Sequence, residues 1–187
     1  MKIGVNQMVK MAVLSALSIV LMSLVRFPII PSASFMIYEP ADVPILIGAF
    51  MYGPLSGFII TVIVSFIQAV ALDVAGGWVG FVMHVIATGT LVLVAGAIYK
   101  RVHSFKGAVI ALIAGSLSMT VIMIPANLFF TVKFYGVPYD AVLKMLMPAI
   151  IPFNLIKSFA NSIIVMLIYK PVSRVLRCIG SQSVSLT

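Results

Sequence analysis

The chain has 187 residues, 63% of them hydrophobic and only 9% charged, with a net charge of +8 and a mean hydropathy of +1.24. Soluble domains carry about 25% charged residues, so these figures exclude one and predict an all-α integral membrane protein, a single transmembrane domain over residues 1–187. Apart from Lys157, the Lys and Arg are scattered through short loops and tails, which reads as membrane orientation and not as a nucleic-acid surface; the lone Cys178 excludes a disulfide framework or a cysteine metal cluster within one chain.

Lys2 and Lys10 precede an apolar run, as in a secretory leader. The run passes into Arg26 and Phe27-Pro28 without a small-x-small cleavage site and further apolar segments follow, so it predicts a first membrane helix at about 8–25. Ala12 and Ala16 form a small-xxx-small pair, suited either to a docking seam for another helix or to ordinary packing inside the bundle. Residues 26–40, RFPIIPSASFMIYEP, hold three prolines yet are too apolar for a solvated loop, and predict a lid folded back over the bundle.

The apolar run from Ala41 to Leu72 is interrupted by Gly53-Pro54 and Gly57, a turn signal that divides it into helices at about 42–53 and 55–72. The first is short for a full span: twelve residues rise about 18 Å. Helices at about 78–99, 107–132 and 148–169 complete six, with Pro125 expected to kink the fifth, Trp78 read as an interface anchor and His84 as a packed histidine.

Polar residues fall on particular faces. Thr61, Ser65 and Gln68 form a stripe on the third helix, and Thr120, Asn127 and Thr131 one on the fifth. Asn154, Lys157, Ser158 and Asn161 share an arc of roughly 100° on the sixth. A charged side chain at such depth costs at least about 2.5–3.5 kcal/mol, so Lys157 must face protein, water or ligand.

With six spans, Lys2, Lys10, Lys100, Arg101, Lys106, Lys170, Arg174 and Arg177 lie on one side and Arg26, Lys133 and Lys144 on the other, which places both termini in the cytoplasm. Glu39, Asp42, Asp73 and Asp140 then lie at or near the outer side. Asn127, Asn154 and Lys157 lie roughly 8–14 Å below the outer surface, with Gln68 and His84 at similar depth. The pattern predicts a pocket open outward, beneath the lid, without a polar path through.

Two classes of function compete. An intramembrane hydrolase needs a serine paired with His84, or paired acids, and neither is visible in the sequence. A small-molecule carrier fits the pocket, but there is no Walker A motif, so the chain cannot itself use ATP and a pocket without a route across needs a partner.

YEPADVPIL at residues 38–46, the turn GPLSG at 53–57, PFNLIKSFAN at 152–161 and Ala12-xxx-Ala16 resemble the substrate-binding S components of energy-coupling factor (ECF) vitamin transporters, in the riboflavin-specific branch. The resemblance covers nearly the whole chain. It implies six helices, capture of riboflavin outside a bacterial plasma membrane as a transported ligand and not a cofactor, and work with a transmembrane T component and two cytoplasmic ATPases. It also implies docking through Ala12 and Ala16. The residues themselves are compatible: Asn127, Asn154 and Lys157 match the acceptor-rich pyrimidine edge of a flavin. Glu39 or Asp42 would accept from ribityl hydroxyls, Phe35, Met36 and Tyr38 would pack the ring, and Gln68, Thr131 and Asn161 complete the predicted site. Biotin or folate, whose carboxylates would pair with an ammonium, are the alternative ligands. No metal ligand set is expected.

Overall fold

The computed structural model describes residues 4–33, 35–74 and 76–182; the side chains of residues 32, 170 and 172–182, and with them the reading of Cys178, lie outside the description. Among the described residues the chain is helical almost throughout. Helix α1 (Val5–Leu24) is followed by a connection containing the two-residue strands β1 (Phe27–Pro28) and β2 (Ile37–Tyr38), then α2 (Asp42–Tyr52), α3 (Pro54–Ile67), α4 (Gly77–Arg101), α5 (Phe105–Tyr135), α6 (Tyr139–Met145) and α7 (Ile151–Gln182). Five helical stretches are long and apolar enough to cross a bilayer, beginning at Val5, Pro54, Gly77, Phe105 and Tyr139, and α2 is a shorter apolar helix. The chain is a multi-pass membrane protein.

Local chemistry accounts for the helix ends. Gly53 has φ 93°, a conformation open to glycine, and Pro54 follows at the first turn of α3, where a missing N–H goes unnoticed. Ser104 caps α5, its Oγ accepting from Gly107 N at 3.0 Å, and Gly136 closes the same helix in the left-handed region at φ 68°. Pro125 lies inside α5, and the helix continues across it. Proline can persist there because packed neighbours in a membrane bundle compensate the freed carbonyl.

Two π-helical turns interrupt the α-helical pattern, and the second shifts an expected boundary. One, Gln68–Leu72, ends α3; the other, Leu146–Ile150, joins α6 to α7. The sequence places the start of the last helix near Pro148, yet the helical path begins at Tyr139. A π turn, with its wider i→i+5 bonding, carries the chain past a residue that has no N–H to give.

The centre of the bundle is α2. Every residue from Asp42 to Phe50 is buried, so this helix, only about 16 Å long, is enclosed by the others and not presented to lipid. It packs against α1, α3, α4 and α7. Glycines set the close approaches: a Cβ at Gly57 would lie 2.6 Å from Ala49 Cβ of α2, one at Gly96 2.9 Å from Pro54 Cα, and one at Gly115 2.8 Å from the Leu91 carbonyl oxygen. In lipid, where apolar surface gains little by leaving its surroundings, such close backbone packing holds helices together.

Ala12 and Ala16 are both exposed on α1, whose buried face is Met11, Leu14, Ser15, Ser18 and Met22. Packing inside the bundle, one of the two readings of this pair, is therefore ruled out. Gly115→Val should lower stability by about 1–3 kcal/mol, because the obstructing atom is main chain and cannot rotate away. A fall in the thermal midpoint in detergent is expected; an unchanged midpoint would mean that α4 and α5 have room to spare.

Candidate functional site

One end of the bundle holds a cavity of about 550 Å³, within the range of small-molecule sites at about 300–1,000 Å³. Arg26, Phe35, Met36, Ile37 and Glu39, from the connection after α1, are among the residues that line it. The pairing of Phe27 with Tyr38 and of Pro28 with Ile37 turns this connection back on itself. Ala33 and Met36 then pack with Val142, Ala149, Ile150 and Phe153, so the connection is seated on α6, the second π turn and the start of α7. Phe35, Met36 and Ile37 thereby reach the cavity wall.

Most of that wall is apolar, with Met83, Ala87, Met119, Met123 and Phe153 contributing. Against it stand Asn127 and Asn154, 4% and 3% exposed, each spending one amide N–H on the carbonyl a turn earlier: Asn127 Nδ2 donates to Met123 O at 2.8 Å and Asn154 Nδ2 to Ile150 O at 2.7 Å. These bonds fix the two amides so that the remaining polar capacity can serve a ligand. Thr131 Oγ1 lies 3.4 Å from Asn127 Oδ1, and both border the cavity.

The charged residues of the wall form an alternating chain. Lys157 Nζ lies 3.7 Å from Glu39 Oε1, Glu39 Oε2 lies 4.0 Å from Arg26 Nε, and Arg26 Nη2 lies 3.5 Å from Asp73 Oδ1. Gln68 Nε2 also donates to Glu39 Oε1 at 2.8 Å. Lys157 and Glu39 are both buried, and the carboxylate offsets much of the cost of holding an ammonium at this depth. Four buried side-chain atoms of the wall make no hydrogen bond among the described residues: Arg26 Nε, Glu39 Oε2, Gln68 Oε1 and His84 Nε2. Donors and acceptors left without a hydrogen bond at one cavity suit a ligand that can supply both.

Of the residues expected at the site, Asn127, Asn154, Lys157, Glu39, Met36, Gln68 and Thr131 border the cavity. Tyr38, Asp42 and Asn161 do not. They form a hydrogen-bonded layer behind the wall, in which Tyr38 donates to Asn161 Oδ1 at 2.9 Å and Asn161 Nδ2 to Asp42 Oδ2 at 3.0 Å. Thr88 donates to Asp42 Oδ1 at 2.8 Å. Burial raises the Tyr38 phenol above its ordinary value, aided by the nearby Asp42 charge and opposed by Lys157, which keeps the hydroxyl a donor. The geometry thus gives Asp42 a supporting place, and of the two acids expected at the site only Glu39 borders the cavity.

Sequence reasoning left His84 without a serine; the fold supplies one. Ser65 Oγ is 2.8 Å from His84 Nδ1, and Asp42 Oδ1 is 3.6 Å from His84 Nε2. The trio does not make a hydrolase: Ser65 is wholly buried inside α3 and does not border the cavity, and the serine and the acid occupy the opposite ring nitrogens from those of a working triad. Arg26 and Asp73 were passed over as site residues because they lie in connections, where helical periodicity carries no information.

A membrane-embedded helical bundle with one roomy cavity at its end, amides and paired charges on its wall, is a small-molecule binding component. The chain belongs to a family described as ECF transporter, substrate-specific component, which it matches over residues 6–169. That family comprises transporter components, not enzymes. The chain is 30% identical to the riboflavin transporter FmnP of Bacillus subtilis (strain 168) over 173 residues, 88% of this chain and 90% of that one. It is 30% identical to the riboflavin transporter RibU of Staphylococcus aureus (strain TCH60) over 178 residues, 92% and 93% of the two chains. A solved structure described as "Structure and mechanism of the S component of a bacterial ECF transporter" superposes with a TM-score of 0.76 at 30% identity, covering 91% of this chain and 96% of that one.

Replacing Glu39 by Ala strands the Lys157 ammonium and should cost about 3–5 kcal/mol of stability. A Glu39→Gln/Lys157→Met double variant, which removes both charges, should lose markedly less. Thermal unfolding of the ligand-free protein in detergent compares them, and equal losses would show that the pair is not coupled.

Proposed function

We propose that this chain is the riboflavin-binding S component of an ECF vitamin uptake transporter in a bacterial plasma membrane. The observation that carries the reading is the meeting of Asn127, Asn154 and Lys157 with Glu39 around a cavity that is otherwise apolar. The pyrimidine edge of an isoalloxazine presents two carbonyl acceptors flanking an N–H donor; side-chain amides match that pattern, and an ammonium reinforces a carbonyl oxygen. Met83, Met119, Met123 and Phe153 suit the flat, polarizable remainder of the ring. Glu39 Oε2 and Gln68 Oε1, which make no hydrogen bond among the described residues, can accept from ribityl hydroxyls. The names of the two relatives, riboflavin transporters at 30% identity over nearly their whole length, support the same ligand.

Charge argues against carboxylate vitamins such as biotin or folate. Their binding calls for an uncommitted cation, whereas Lys157 lies beside Glu39, and Arg26 between Glu39 and Asp73. Each of the two cations at the cavity already faces an acid, which favours a neutral guest.

In this reading α2 completes a set of six membrane-crossing helices in one transmembrane domain, both termini face the cytoplasm, and residues 26–40 act as the lid of an outward-facing site. The absence of a Walker A sequence leaves energy to come from a T component and two ATPases, and the exposed Ala12 and Ala16 form the contact stripe for the T component.

Purified protein should carry a flavin absorbance spectrum, and Lys157→Ala should weaken riboflavin binding about 10–100-fold, the loss of one charge-assisted hydrogen bond. Colourless protein that fails to quench riboflavin fluorescence would overturn the ligand assignment. Ala12→Trp or Ala16→Trp should leave riboflavin affinity of the isolated chain unchanged while abolishing uptake by cells that depend on it. Normal uptake would return both alanines to lipid contact.

A further inference from the structure

Arg26 sits at the start of the connection after α1, and its guanidinium reaches a part of the chain 46 residues away. Nη1 donates to the Leu72 carbonyl at 2.6 Å, Nη2 faces Asp73 Oδ1 at 3.5 Å, and Nε faces Glu39 Oε2 at 4.0 Å. Leu72 is the last residue of the π turn that ends α3. Carbonyls there lack a donor from their own helix, and a cation at a helix C-terminus is favoured by the dipole. The first residue of the same turn, Gln68, donates to Glu39 at 2.8 Å. Residues 26 and 39, the two ends of the segment that closes the cavity, are therefore both fastened to one π turn.

We propose that Arg26 is a positioning residue of the binding cavity: by bridging Glu39, the Leu72 carbonyl and Asp73 it clamps the covering segment to the end of α3 and so sets how long a bound ligand stays. Arg26 and Asp73 hold the cover in place, and the amides and Lys157 choose the guest. A planar fork with five N–H donors can serve three acceptors in different directions at once, which a lysine cannot.

The clamp is tested with the full chain in detergent, first without ligand. Amide hydrogen exchange is followed in residues 27–38 and in residues 73–80 for wild type, Arg26→Gln and Asp73→Asn. Each variant should speed exchange in both segments by about tenfold, the scale of one lost charge-assisted contact. Asp73→Glu, which keeps the carboxylate, should recover most of the difference. Asp73 is partly exposed, so its variants remain informative should Arg26→Gln fold poorly. Exchange that rises only in the segment carrying the substitution, or in neither, overturns the proposal.

A second arm rests on the riboflavin reading: the riboflavin dissociation rate should rise about tenfold in Arg26→Gln and Asp73→Asn. An unchanged rate in variants whose two segments have loosened together would overturn the claim that the clamp sets residence time. Wild type that takes up no riboflavin while the two segments still loosen together would overturn the ligand assignment and support the clamp.

Discussion

An ammonium held inside a membrane-spanning helix needs a counter-charge, and here Lys157 of α7 finds it in Glu39, a residue of a connection and not of a helix. Much else in the fold serves that contact. For Glu39 to arrive, the connection after α1 must double back, and the pairing of Phe27 with Tyr38 turns it. For the doubled strand to stay down it needs an apolar seat, which Ala33 and Met36 find among Val142, Ala149, Ile150 and Phe153. That seat lies on the π turn before α7, so the helix that carries the ammonium also carries part of the platform that delivers its partner.

Behind the cavity the requirement changes from binding to rigidity. Asp42 opens α2, wholly buried, and its carboxylate gathers Thr88 of α4, Asn161 of α7 and His84 of α4, while His84 in turn holds Ser65 of α3. Four helices are joined through one acid. In a medium that offers little hydrophobic force between helices, a polar network of this kind adds direction to packing that small residues have already made close. Tyr38 extends the network into the covering segment through Asn161.

The sequence exposes these features unequally. Helical spacing singled out the polar face of α7, and Asn154 and Lys157 do border the cavity. The same face includes Asn161, one turn deeper, where the cavity has ended and the partners are Tyr38 and Asp42. Periodicity reports which side of a helix is polar; it does not report at what depth a cavity stops. Asp42 illustrates the converse limit: an acid beside a predicted lid looks available to a ligand, and only the approach of α4 and α7 encloses it. Arg26 and Asp73, placed in connections, had no periodic signal to betray them, and Ser65 met His84 because α3 and α4 pack side by side. The overall helical pattern was easier to read, since Gly53-Pro54, Ser104 and Gly136 mark their turns by local chemistry.

The arrangement along the helices bears on how such a protein can serve transport. A second, smaller cavity of about 140 Å³ is lined by Phe50, Tyr99, Val165 and Tyr169. Between the two cavities α2 contributes Ile45, Leu46 and Ile47, all without exposed surface, and α5 contributes Ala111, Leu112, Gly115 and Ser116, all buried. On α7 the buried Ser158, Asn161 and Ser162 intervene, with Ser158 and Asn161 bonded to groups of the protein itself. Among the described residues no continuous row of available polar groups links the two cavities. A ligand held beside Lys157 would have to displace these buried side chains to pass through the bundle.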